Sequence, residues 1–207
     1  SPFGKTYDED SYIEVDINPD DGSTSYYICL RDNGGNGLQT TTTTGEGVTA
    51  VDGQFENNNL TISGLTASFT GPGQSVTWKA YAYNDGQFDA FLKSVTVGKI
   101  TCVADSGSGT TQAYVDEAAK GIKIRVSVGG DVYTATNSNI TNSKLEIGKA
   151  EEVLITLKIR NIYYGFENSN YLLDCAELYQ VKIYTIIKRG HKQAALFFRI
   201  EVEGLIQ

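Results

Sequence analysis

Short runs in which apolar and polar residues alternate recur along the chain, and turn residues close each of them. In residues 11–17 (SYIEVDI), Ile13, Val15 and Ile17 share one face while Tyr12, Glu14 and Asp16 share the other, the period-two pattern of a half-buried strand. The turn NPDDGS at 18–23 ends it, and residues 25–30 (SYYICL) form the next strand candidate. Residues 31–54 are rich in Gly, Asn and Thr and read as a long surface loop with one edge strand. Strand candidates follow at 59–69, at 75–83, where Val76, Trp78, Ala80 and Ala82 share a face, and at 88–97. The turns between them carry Pro72-Gly73 and Asn84-Asp85-Gly86.

Residues 111–120 (TQAYVDEAAK) give the one helical pattern, with Gly121 placed where a helix C′ glycine would sit. Strands resume at 122–128, with Ile122, Ile124, Val126 and Val128 inward, then at 131–136, 151–159, 180–187 and 195–202. Many short strands with turns between them and no fixed repeat predict an all-β fold: an antiparallel sandwich or jelly roll with one short helix near 111–120.

The domain organisation expected is residues 1–17 as an N-terminal segment and 18–207 as a single sandwich. Within the latter, residues 158–207 stand apart. Residues 1–157 carry 10 Lys and Arg against 20 Asp and Glu, and residues 158–207 carry 7 against 5 with Thr185 their only Thr. Three explanations stay open: an appended unit, a segment serving another partner, or an error in the sequence.

The net charge of −8 comes without any Lys/Arg cluster, so a nucleic-acid role is not expected. No apolar run is long enough to span a bilayer. A chain that starts at Ser1 and lacks Met reads as a processed, secreted, extracellular protein from which a signal peptide has been removed, with trimming as the alternative. Of three cysteines, Cys29 and Cys102 lie in strand-like segments and are the disulfide candidates, leaving Cys175 over; three buried thiols are the other reading.

Candidate chemistry is sparse. The sole histidine, His191, sits in a charged turn (KRGHKQ), and no HExxH, GxSxG or phosphate-cradling loop occurs, so neither an enzyme nor a cofactor is expected. Paired carboxylates (Asp8-Glu9-Asp10, Asp20-Asp21, Glu151-Glu152) read first as solvated charges, with Asp20 and Asp21 as weak calcium candidates in an oxygen-rich turn. Trp78 falls on the inward face. Tyr81 and Tyr83 fall outward, where they either pair across strands or, with Tyr26 and Tyr27, offer a sugar a platform. Asn59 and Asn139 begin Asn-x-Thr sequons, candidates for glycosylation.

Within residues 64–95 an apolar strand, Pro72-Gly73, the alternating strand 76–82, the turn 84–86 and the run 90–95 (AFLKSV) follow one another. That stretch resembles the TasA/camelysin family of bacterial biofilm-matrix proteins, related to the sandwich subunits of archaeal bundling pili. The resemblance implies a secreted jelly-roll subunit of a pilus or matrix fibre that polymerises by donating its N-terminal strand to the next copy. The histidines of a metalloprotease site are missing, and the cysteines and residues 158–207 depart from the family's pattern.

The residues themselves point the same way. An open sandwich has edges that must be blocked or used, and Ile13, Val15 and Ile17 near a chain end suit a strand lent to a neighbour. The partner expected is therefore another copy of this chain. A monomeric adhesin or carbohydrate-binding sandwich is the alternative, and a viral structural protein a further one.

Overall fold

A computed structural model describes residues 13–14, 28–31, 39–56, 60–84, 86, 88–141, 143–160, 177–189 and 193–206. In chain order its elements are Ile13–Glu14 (β1), Ile28–Arg31 (β2), Gln39–Thr44 (β3), Thr49–Val51 (β4), Gln54–Glu56 (β5), Thr61–Phe69 (β6), Ser75–Asn84 (β7) and Asp89–Ala104 (β8). After these come the helix Gln112–Gly121 (α1), then Ile122–Val128 (β9), Asp131–Tyr133 (β10), Lys144–Leu145 (β11), Ala150–Ile159 (β12), Glu177–Arg189 (β13) and Gln193–Ile206 (β14).

The alternation read from sequence becomes two faces of each strand. Val76, Trp78, Ala80 and Ala82 of β7 are buried, as are Ile122, Ile124, Val126 and Val128 of β9, while the residues between them are at least partly exposed. Two curled sheets pack these inward faces into one core, giving an all-β sandwich-like fold. The larger sheet has eight strands, ordered β11-β8-β14-β13-β6-β4, with β1 on β13 and β5 on β6. The smaller has six, ordered β10-β9-β12-β7-β2, with β3 also on β7.

Residues 177–206, compositionally set apart, supply the middle of the larger sheet. β13 and β14 form an antiparallel hairpin, β6 flanks β13, and β14 runs parallel to β8. Their inward residues, among them Tyr179, Ile183, Phe198 and Ile200, are among the most buried in the chain.

The structure differs from the expectations in three places. The polar stretch 31–54 contains more than one edge strand: its threonines form β3 along β7, and β4 begins the edge of β6. Threonine's branched Cβ favours extended backbone whatever its polarity. Gly121 is not a left-handed cap; it closes the helix as a buried residue, Ile122 is already extended, and Arg160 N–H donates to the Gly121 carbonyl at 3.0 Å. Finally, β8 runs seven residues beyond the expected end at Val97.

The turn after β7 is more than a chain reversal. The Asn84 side chain is 1% exposed; its Nδ2 donates to the carbonyls of Phe88 (2.8 Å) and Leu145 (2.9 Å), and its Oδ1 accepts from Gly86 N–H (3.0 Å). Asn84→Ala strands buried backbone groups, so a loss of about 2–3 kcal/mol in a urea titration is expected. A loss below about 0.5 kcal/mol would mean that water replaces the amide.

Candidate functional site

The long strand β8 is paired along its whole length on one side by β14. Its other side is covered only in its first half. There Lys144 and Leu145 pair with Phe91 and Ala90, Leu92 N–H donates to Ser143 O (2.9 Å), and Ile140 N–H donates to Lys93 O (3.2 Å). Val95 and Asn137 exchange both main-chain bonds at 2.9 Å. Ile140, 8% exposed, anchors this covering segment in the core.

The cover ends in a side chain. Thr136 Oγ1 accepts from Val97 N–H (3.1 Å) and donates to Val97 O (3.3 Å), closing the edge where the covering chain departs towards β10. Beyond it, along residues 98–104, no strand pairs with this side of β8 among the described residues.

At the same point β8 bulges. Val97 faces Ile200 and Ile100 faces Val202, so β8 carries one residue more than β14 across the step. Gly98 makes the bulge fit: a Cβ there would stand 2.8 Å from the Ile200 carbonyl oxygen. The bulge moves the inward positions from Val95 and Val97 to Ile100, Cys102 and Ala104, which are only partly buried against the core. Strand chirality ties an inward side chain to the direction of its own N–H and C=O. Val95 and Val97 turn theirs to the outer edge, so Ile100, Cys102 and Ala104 do too.

The result is a groove of about 800 Å³ between the β8 edge and α1, floored by Val97, Ile100, Cys102, Val115, Ala119 and Ile124. Its surface is mostly carbon, with Lys99, Asp116 and Lys120 at the rim. Lys120 is held above the ordinary lysine range by its hydrogen bond to Glu117 (2.7 Å), and Asp116 accepts from Gln112 (2.9 Å). Lys99, exposed on the outer face of the sheet, makes no ion pair among the described residues. An unpaired run of backbone above an apolar floor is the arrangement that accepts an extended peptide as an added strand.

The residues singled out from sequence are scattered. Ile13 and Glu14 pair antiparallel with Arg189 and Lys188 of the same chain, continuing the line of β6 along β13. Val15, Ile17, Asp20, Asp21, Asn59, Cys175 and His191 lie outside the described residues. Cys29 stands opposite Tyr83 in the smaller sheet and Cys102 opposite Gly204 in the larger one; the side chain of Cys29 lies outside the described residues, and with it their pairing.

Asn139 is exposed beside the buried Ile140, with its N–H on Asn137 Oδ1 at 3.0 Å. Trp78 is core, and Tyr81 and Tyr83 are half-buried on the outer face. Glu152 pairs with Lys79 at 3.3 Å on that face. Among the described residues no three His, Cys, Asp or Glu side chains gather as a metal site, and no helix is long and apolar enough to cross a membrane.

The open edge was missed because Gly98 ends the smooth alternation of residues 88–97 and looks like a strand terminus. The signal available was the alternation of Ile100, Cys102 and Ala104 resuming one residue out of step. Compared with protein-family models, curated proteins and solved structures, the chain matches none.

Proposed function

We propose that this chain is a structural subunit of an extracellular filament, a pilus or a biofilm-matrix fibre, that polymerises by lending its N-terminal strand to the next copy. One observation carries the reading: the uncovered edge of β8 at residues 98–104, standing over an apolar groove. The resemblance of residues 64–95 to TasA/camelysin-like subunits supports it. The lent strand is residues 11–17, with Ile13, Val15 and Ile17 facing the groove. Donor and acceptor are different surfaces, so the contact is heterologous and repeats into an open fibre rather than closing a dimer.

Magnitudes favour a strand over isolated side chains. Burying three such side chains contributes about 1.5–3 kcal/mol each, against about 4–15 kcal/mol for immobilising a partner. Main-chain bonds along the edge, about 0.5–1.5 kcal/mol net apiece, supply the margin. Among the described residues β1 pairs within its own chain through Ile13 and Glu14, on Arg189 and Lys188, and in this reading the strand exchanges that pairing for the β8 edge of a neighbour.

Negative-stain microscopy of the intact chain and of a chain lacking residues 1–17 tests the proposal. Filaments from the intact chain alone are the expected result. Monodisperse particles from both would overturn it in favour of a monomeric adhesin or binding domain.

A further inference from the structure

We infer that Lys99 selects the incoming strand by charge, with Glu14 and Asp16 of a second copy lying beside it on the outer face of the larger sheet. The inference rests on the strand-lending reading and adds what fixes the position of the guest. The uncovered edge spans residues 98–104, and the guest segment 11–17 has the same length, about 23 Å at 3.3 Å per residue. Seated there, it is bounded at one end by Thr136, whose hydroxyl already occupies both main-chain groups of Val97.

Faces then follow from the alternation. On β8, Ile100, Cys102 and Ala104 turn inward while Lys99, Thr101 and Val103 are exposed on the outer face. A guest with Ile13, Val15 and Ile17 inward has Glu14 and Asp16 outward, on the face that holds Lys99. Next to Lys99 on the other side is β14, whose exposed Glu203 stands opposite Thr101. Glu201 on that strand pairs with Arg199. From α1, Lys120 is engaged by Glu117 and Asp116 is the one carboxylate at the rim. Among the described residues Lys99 is thus the cation without an ion pair on this edge, and the guest brings two carboxylates. A strand slipped by one residue would turn Glu14 and Asp16 into the apolar groove, so charge and hydrophobic pattern specify one register.

The test measures the concentration above which the chain pellets as filaments, for the wild type, Lys99→Glu, the pair Glu14→Lys with Asp16→Lys, and all three together. Far-UV circular dichroism checks that each is folded. Lys99→Glu and the double variant should each raise that concentration on the order of tenfold, through a lost attraction and a like-charge contact. The combined variant should return to within about twofold of wild type, and added salt should flatten all the differences.

Glu14 also lies opposite Lys188 in its own chain by register. Charge reversal there favours release of β1 and pushes assembly the opposite way, so weakened assembly reports the groove. Wild-type filaments with an unaltered Lys99→Glu threshold overturn this inference alone and leave strand lending standing. The same holds for a folded combined variant that fails to recover. Assembly that is sensitive to Lys99 but indifferent to removal of residues 1–17 overturns both readings and puts the β8 edge of a second copy in the groove.

Discussion

Trp78→Ala is expected to remove about 3–5 kcal/mol of folding stability, much of the 5–15 kcal/mol a domain usually has. Trp78 sits in the middle of β7 with none of its surface exposed, paired in register with Ile155 on one side and Thr40 on the other. Its indole Nε1–H crosses to the opposite sheet and donates to the Val51 carbonyl at 3.3 Å. Alanine therefore leaves both a cavity between the sheets and a carbonyl without its donor. Trp78→Phe separates the two, keeping a ring while losing the hydrogen bond, and should cost about 1–2 kcal/mol. The chain has one Trp, so the variants are followed by far-UV circular dichroism in urea rather than by fluorescence. A loss below about 1 kcal/mol for the alanine variant would show that the sheets collapse onto the space.

Gly204→Ala is the second large effect, and here propensity and packing disagree in sign. Glycine inside a strand is ordinarily a weakness of about 0.5–1 kcal/mol relative to alanine, so propensity alone predicts a gain. In the structure an added Cβ would stand 2.7 Å from Cys102 Sγ and 2.7 Å from Tyr179 Cε1, closer than real side chains come. Tyr179 has no exposed surface and packs against Phe69 with ring centroids 5.9 Å apart, so it has nowhere to yield. A net loss of about 1–3 kcal/mol is expected. Thermal unfolding decides it: a higher midpoint than wild type would mean that β13 and β14 are free to shift.

Much of the fold was legible because its strands are half-buried, and half-burial writes a period of two into the chain. Trp78 as core and the inward quartet of β9 followed from that, while the helix near 111–120 followed from a helical pattern of its own. The parts that were not legible have specific physical causes. Residues 39–44 are almost all threonine, so no polar alternation marks a face, and only the branched Cβ hints at a strand. The C-terminal strands were visible as strands, but their place at the centre of the sheet depends on β8 and β14 meeting across about a hundred residues, as in the pairing of Asp89 with Gln193. No local pattern encodes such a partner. Asn84 read as a turn residue, and its burial was hidden because Leu145, whose carbonyl it holds, lies 61 positions away.

The open edge is the instructive failure. A bulge at Gly98 puts the sequence out of phase with itself, and a reader who expects strict alternation stops one step before the groove begins. Devices of this kind interrupt a strand where its edge changes use, from covered to uncovered.

The parallel pairing of β8 with β14 also sets a timetable. During synthesis β6, β7 and β8 are made early, but the larger sheet has no middle until residues 177–206 emerge. Until then β6 has only β4 and β5 beside it and β8 only β11, each with its other side open, and sheets dominated by distant pairings close slowly. A nascent chain of this design keeps its larger sheet open until the central hairpin arrives as a keystone. A stop codon placed before Gln193 should therefore yield a chain that fails as a whole, rather than a sandwich missing one edge.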